Sequence, residues 1–158
     1  MIKGDTEWTT LAAGIILFKS DIVKNESGKE EIEPNFLLLK CSKNFHWSPP
    51  KGISEYDEEN DLLRTAFRET LEETGIGPQQ IKLYNNFVKE IQYEAWNKKK
   101  TVFYYLGECM NDTKIVISHE HSEYKWANIS QVRQLVEFES LIQIFNDAFE
   151  RIVMEKKL

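Results

Sequence analysis

A chain of 158 residues with 41% hydrophobic content and mixed charge can bury a substantial core and belongs among globular proteins. Its longest apolar run, Leu11 to Phe18, falls far short of the roughly 18 to 20 residues that cross a bilayer, which argues against a membrane partner. A net charge of −6 argues against general nucleic-acid binding through a basic surface, while leaving room for an anionic ligand held by a bound metal and a few local cations.

From the N-terminus, Trp8 to Lys19 and Asn35 to Cys41 are predicted strands by their aliphatic content, and the polar stretch Ser20 to Glu33 between them reads as a mobile loop. His46-Trp47-Ser48-Pro49-Pro50-Lys51-Gly52 is a proline-stiffened turn. Leu63, Ala66, Phe67, Thr70 and Leu71 then recur at three- and four-residue steps, predicting an amphipathic helix from about Asp57 to Thr74 that stops at Gly75-Ile76-Gly77-Pro78. Ile81 to Tyr93 and Thr101 to Glu108 predict a hairpin with its tip at Ala95 to Lys99. Lys114 to Ser118 alternates, Glu123 to Trp126 suggests a short strand, and Ser130 to Val136 and Phe138 to Met154 are helical by period, the first capped by Ser130. Strands and helices in this order imply an α/β fold, a mixed β-sheet sandwiched between α-helices, in one domain over residues 1–158.

The predicted helix carries Glu69, Glu72 and Glu73 on the face turned from its apolar stripe. Bare carboxylates one turn apart repel, by a few tenths of a kcal/mol per pair. A hard dication recruits such oxygen-rich clusters and keeps waters and substrate phosphates as its other ligands. The cluster therefore reads as a cradle for magnesium, with manganese as the alternative ion. Candidate cations for an anionic ligand, His46, Lys51, Lys98, Lys99 and Lys100, all lie outside the acidic helix.

Gly52, Glu58, Arg68, Glu69, Leu71, Glu72, Glu73, Gly75 and Ile76 together resemble the Nudix box, whose family hydrolyses nucleoside diphosphates linked to another moiety. The resemblance implies the Nudix fold and a metal-dependent pyrophosphohydrolase. It also implies that Arg68 pairs with the loop glutamate to brace the loop against the helix. Nine residues separate Glu58 from Arg68 where the family pattern has seven, so two are inserted. Counted forward from Gly52 the loop glutamate is Glu58; counted back from Arg68 that position is Asn60, and the glycine position is Ser54.

The Trp47-Ser48-Pro49-Pro50-Lys51-Gly52 segment, the stretch Tyr93 to Val102 and Ser118 to Trp126 resemble one Nudix branch, the asymmetrical diadenosine tetraphosphate hydrolases; Ile53 stands where that branch commonly has histidine. What the resemblance implies is a small-molecule substrate, a dinucleoside polyphosphate, chiefly diadenosine tetraphosphate cleaved to ATP and AMP. Glu69, Glu72, Glu73 and Glu120 are then the metal ligands, and Glu120 or a box glutamate takes the proton of the attacking water. Lys51, Lys98, Lys100, His46 and Tyr104 face the phosphate chain, and Tyr93 and Phe138 sandwich an adenine. Such a site works by positioning, without a covalent nucleophile. Other readings are hydrolysis of RNA 5′ ends or of diphosphoinositol polyphosphates, and a nucleotide-binding sensor that has lost turnover. The opening Met1-Ile2-Lys3-Gly4-Asp5 lacks a signal-peptide layout, and Cys41 and Cys109 match no metal spacing. These features lead to the expectation of reduced thiols in the cytoplasm or nucleus, and the chain is expected to act as a monomer.

Overall fold

The computed structural model describes residues 9–95 and 97–156; the predicted strand start at Trp8 and Trp96 of the hairpin tip lie outside them. Eight strands, β1 Thr9–Lys24, β2 Glu30–Cys41, β3 Trp47–Ser48, β4 Lys51–Ile53, β5 Ile81–Leu83, β6 Lys89–Ala95, β7 Lys98–Cys109 and β8 His121–Ala127, join in one sheet. The helices are α1 Leu62–Thr74, α2 Ile129–Leu135 and α3 Glu139–Glu155. β1 runs parallel to β7, and every other pairing is antiparallel.

The centre of β1 is apolar on both faces because both are covered, which is why it reads as a continuous run. Ala12, Ile16 and Phe18 join Phe36, Leu38, Leu106 and the α3 residues Leu141, Ile144, Phe145, Ala148 and Ile152 in one core. Ala13, Ile15 and Leu17 face the other way, with Leu37, Leu39, Ile76 and Ala66 of α1. The mixed sheet is thus sandwiched between α1 on one face and α2 and α3 on the other.

The sheet splits where the cleft forms. β2 pairs with β1 from Phe18 and Phe36 outward to Lys24 and Glu30. Toward the start of β1 its place is taken by β4, which pairs with Ala12, Ala13 and Gly14, while β3 pairs with Leu39 and Lys40 of β2. Gly14 is required at this junction, since a Cβ there would lie 2.3 Å from the Pro50 carbonyl oxygen and 2.5 Å from Lys51 Cβ.

Several predicted boundaries are corrected. Ser20 to Glu33 is mostly a hairpin in which Ile22 opposes Ile32. Only its turn is loop, where the Asn25 side chain accepts from the Ser27 and Lys29 N–H groups and Gly28 takes φ 81°. The helix begins at Leu62, capped by Asp61, rather than near Asp57. Tyr56–Glu58 forms a separate 3₁₀ turn because Glu58 folds back to accept the Glu55 N–H. The stripe is also rotated: α1 buries Thr65, Ala66, Thr70, Glu73 and Thr74, and leaves Leu71 49% exposed.

Ile81 to Tyr93 is broken between β5 and β6. Tyr84 and Phe87 are buried from a turn containing Asn86 at φ 63°, so these apolar residues fill the core without continuing the strand. Lys114 to Ser118 is not a strand; the Val116 N–H bonds to the Thr74 carbonyl, and Ile115 and Ile117 pack on the α1 side of the sheet. α2 is capped by Asn128 rather than Ser130, since Asn128 and Gln131 each accept the other's backbone N–H at 2.9 Å.

Candidate active site

A cleft of about 1110 Å³ opens at the split in the sheet. His46, Lys51, Glu69, Glu72, Glu73, Tyr93, Lys98, Lys100, Tyr104, Glu120 and Phe138 all line it. Arg68 and Glu58 stand behind it and hold its acidic wall.

Glu58 is buried, and its carboxylate accepts from Arg68 Nε and Nη2 at 2.8 and 2.9 Å, from Thr65 Oγ1 at 2.8 Å and from the Glu55 N–H. The Arg68 guanidinium comes first among the causes that hold this carboxyl down at about 2. Arg68 also donates to the Ile53 carbonyl, Glu69 and Glu72, so a single side chain links the loop to three acids. Of the two registers open in the sequence, the pairing follows the one counted from Gly52. The inserted residues are absorbed in the exposed turn that contains Asn60, before Asp61 caps the helix.

Gly52 leaves room for Glu69, whose carboxylate atoms lie 2.0 to 2.4 Å from where a Cβ would stand. One turn on, Glu73 is 6% exposed, and its Oε1 accepts the Lys51 N–H at 3.1 Å. Burial pushes the Glu73 carboxyl up to about 8, with the charges of Glu69 and Glu120 adding to the rise. Glu69 is raised by burial, with Glu72 and Glu120 adding to it. Glu120, on the loop before β8, completes the acidic wall.

As they stand, no three His, Cys, Asp or Glu side chains among the described residues form a group that could hold a metal ion. Arg68 engages Glu69 and Glu72, and the Lys51 N–H engages Glu73, which is why these acids are not gathered around one point. The donor chemistry nevertheless fits a hard dication. Every candidate is a carboxylate oxygen, and the burial that raises Glu69 and Glu73, together with the smaller repulsion among the acids, is a penalty on their charge that a cation would offset.

The opposite wall is basic and aromatic. Lys100 pairs with both Thr10 of β1 and Tyr93 of β6. Its ammonium is held below the usual lysine range by burial and by the charge of Lys51. Gly14 lies between Lys51 and Tyr104 in the strand register. The Tyr104 hydroxyl is buried without a hydrogen-bond partner, and burial raises its pKa far above the usual range, so it stays protonated. Tyr93 and Phe138 meet edge to face, with centroids 6.4 Å apart and planes at 72°. They form a corner in this structure, not the parallel pair about 7 Å apart that a sandwiched base requires, because Phe138 is packed against His46 at 5.0 Å.

The cleft also takes in Cys41, Asn44 and His121, for which the sequence predicts no site role. His121 Nε2 is 4.0 Å from Glu73 Oε1, and its Nδ1 is buried without a partner. Cys41 is its cross-strand neighbour. The Asn44 and Lys43 backbone N–H groups hold the Cys41 thiol below its ordinary value. The local sequence carried no signal for this pair, since only strand register brings residues 41 and 121 together.

The model of the NUDIX domain family matches residues 9–145, and the chain belongs to that family. It is 36% identical over 141 residues to an asymmetrical bis(5′-nucleosyl)-tetraphosphatase of Sus scrofa, covering 88% of this chain and 92% of the relative. A protein of the same name from Caenorhabditis elegans is 33% identical over 128 residues, covering 80% and 85%. Among solved structures, a C. elegans Ap4A hydrolase in a binary complex matches with a TM-score of 0.76 at 29% identity, covering 92% of this chain and 98% of that one. Hydrolases of this family generally require divalent metal ions.

Proposed function

We propose that the protein hydrolyses dinucleoside tetraphosphates, with diadenosine tetraphosphate as the reference substrate, by water attack that releases a nucleoside triphosphate and a monophosphate. The observation that carries this reading is one cleft lined by Glu69, Glu73 and Glu120 on one side and by Lys51, Lys100, Tyr93 and Phe138 on the other. The asymmetrical tetraphosphatases to which most of the chain is similar act in their named roles on the same substrate class.

Glu69, Glu72, Glu73 and Glu120 would hold the metal, magnesium or manganese. When bound, such a cation neutralises phosphate oxygens and acidifies a water. Glu120 or a box glutamate removes the proton of the attacking water. Lys51 and Lys100 lie along the phosphate chain, with His46 and Lys98 at its margins. The Tyr104 hydroxyl donates to a phosphate oxygen and so gains the partner it otherwise lacks. Tyr93 and Phe138 hold one base by stacking, which requires the Phe138 ring to turn or the base to lie on a single ring. Arg68 and Glu58 keep the loop and helix in register and never meet substrate.

A monomer made as one domain, in a reducing compartment such as the cytoplasm, completes the proposal. The unpaired thiols of Cys41 and Cys109 suit such a compartment, and no described helix is long and apolar enough to cross a membrane. Incubation with diadenosine tetraphosphate and magnesium should give ATP and AMP, and chelation should stop it. Two ADP molecules, or turnover untouched by chelator, would contradict the reading.

A further inference from the structure

Stacking does not choose a base, because every base has a π face. The aromatic wall of the cleft therefore leaves open which nucleoside it takes. The polar groups beside the wall can make that choice. Phe138 is the N-cap of α3, and the residue before it is Glu137. The Glu137 carboxylate reaches to 3.2 Å from His46 Nδ1, and the His46 ring rests on Phe138. The contact with His46 is out of hydrogen-bonding alignment, since His46 Nδ1 is buried with no hydrogen-bond partner. Glu137 itself stands just outside the cleft lining, against two residues that belong to it, His46 and Phe138. Its side chain is 60% exposed and accepts no hydrogen bond among the described residues, so the carboxylate can turn to a ligand that projects past the ring.

We propose that Glu137 reads the edge of the base stacked on Phe138 and Tyr93 and favours guanine over adenine. This rests on the proposed function, because it needs a nucleotide in the cleft. A carboxylate is acceptor-only, with two oxygens side by side. Guanine offers it two adjacent donors, N1–H and the N2 amine. Adenine offers only the N6 amine, next to the N1 lone pair, which repels the second oxygen. His46, 3.2 Å from the same carboxylate and packed on Phe138, puts it near the ring. A bidentate base contact discriminates roughly tenfold or more when well formed, and exposure brings the expectation here to about five- to tenfold.

The test measures binding of guanosine and adenosine 5′-monophosphates by calorimetry, for the full chain and its Glu137→Gln variant. Turnover of diguanosine and diadenosine tetraphosphates is followed alongside. Glutamine keeps the side chain's size but presents one acceptor and one donor. The proposal expects the guanine nucleotide to bind about five- to tenfold tighter than the adenine one, and the gap to close in Glu137→Gln through loss of guanine affinity. Equal binding of the two in the parent chain, a gap that persists in the variant, or no binding of either at millimolar concentration would overturn it. Base-dependent binding without turnover of either tetraphosphate would leave the base reader standing and refute the hydrolase reading, so the two fail separately.

Discussion

Glu73 sits where a charge is penalised. In the metal-free protein its folded pKa of about 8 exceeds the ordinary carboxyl value of 4.5, so between those limits the folded state holds a proton that the unfolded state releases. The stability this group contributes is therefore complete below pH 4.5 and lost as pH rises through 8. The midpoint of thermal unfolding should fall across that window and recover when magnesium is added. Glu73→Gln should flatten the pH dependence, melt no lower than the parent, and lose turnover by about 10²-fold or more. Near-parental turnover in that variant would remove Glu73 from the machinery. Glu58 has the opposite sign: held at about 2, its contribution is present in full above 4.5 and is lost progressively as pH falls from there through 2. Replacing it by alanine removes two of the Arg68 hydrogen bonds and leaves the Thr65 hydroxyl and the Glu55 N–H without their acceptor, and should cost about 3 kcal/mol in denaturant titrations. Tyr93→Ala should chiefly raise the Michaelis constant, by roughly five- to a hundredfold for one lost stacking face; an unchanged constant would take Tyr93 out of the base site. The acids, lysines and aromatics of the cleft were named from the sequence because a motif fixes residue types at fixed spacing. Cys41 and His121 were not, since strand register alone makes them neighbours.

At the scale of elements, the glycines show what strand contacts demand. A side chain at Gly52 meets the Glu69 carboxylate, and one at Gly14 meets the Pro50 carbonyl and Lys51 Cβ. The two substitutions should separate: Gly52→Ala displaces a flexible acid and should abolish turnover with little change in melting, whereas Gly14→Ala strikes backbone in the β1–β4 pair and should cost about 1 to 3 kcal/mol of stability. Equal effects on stability would contradict this assignment of contacts. Elements with strong periodicity were legible, while boundaries governed by side-chain contacts were not. α1 starts late because Glu58 turns back toward Glu55 and Arg68. The apolar run after Ile81 holds a turn because Tyr84 and Phe87 fill the core from it. The stretch from Ser20 to Glu33 looked like loop because its residues are half-buried at most up to the hairpin turn, and a ribbon that enters no core needs no strong apolar alternation.

Across the whole molecule, the α/β class and the helices on opposite faces of a mixed sheet followed from element order. The split between β1 and β2 did not, and the cleft depends on it. Its cause is the short β3–β4 turn, whose strands pair one with each side of the opening, a long-range arrangement that no local pattern announces. That opening brings the acids of α1 together with the lysines of β7 and the ring at the start of α3. The central claim is that these groups direct water to the phosphorus next to one nucleoside. The measurement that meets it most directly is hydrolysis of diadenosine tetraphosphate with magnesium in oxygen-18 water, with the products weighed by mass spectrometry. The account predicts ATP and AMP with the label in AMP; label in ATP, a yield of ADP alone, or intact substrate would contradict it.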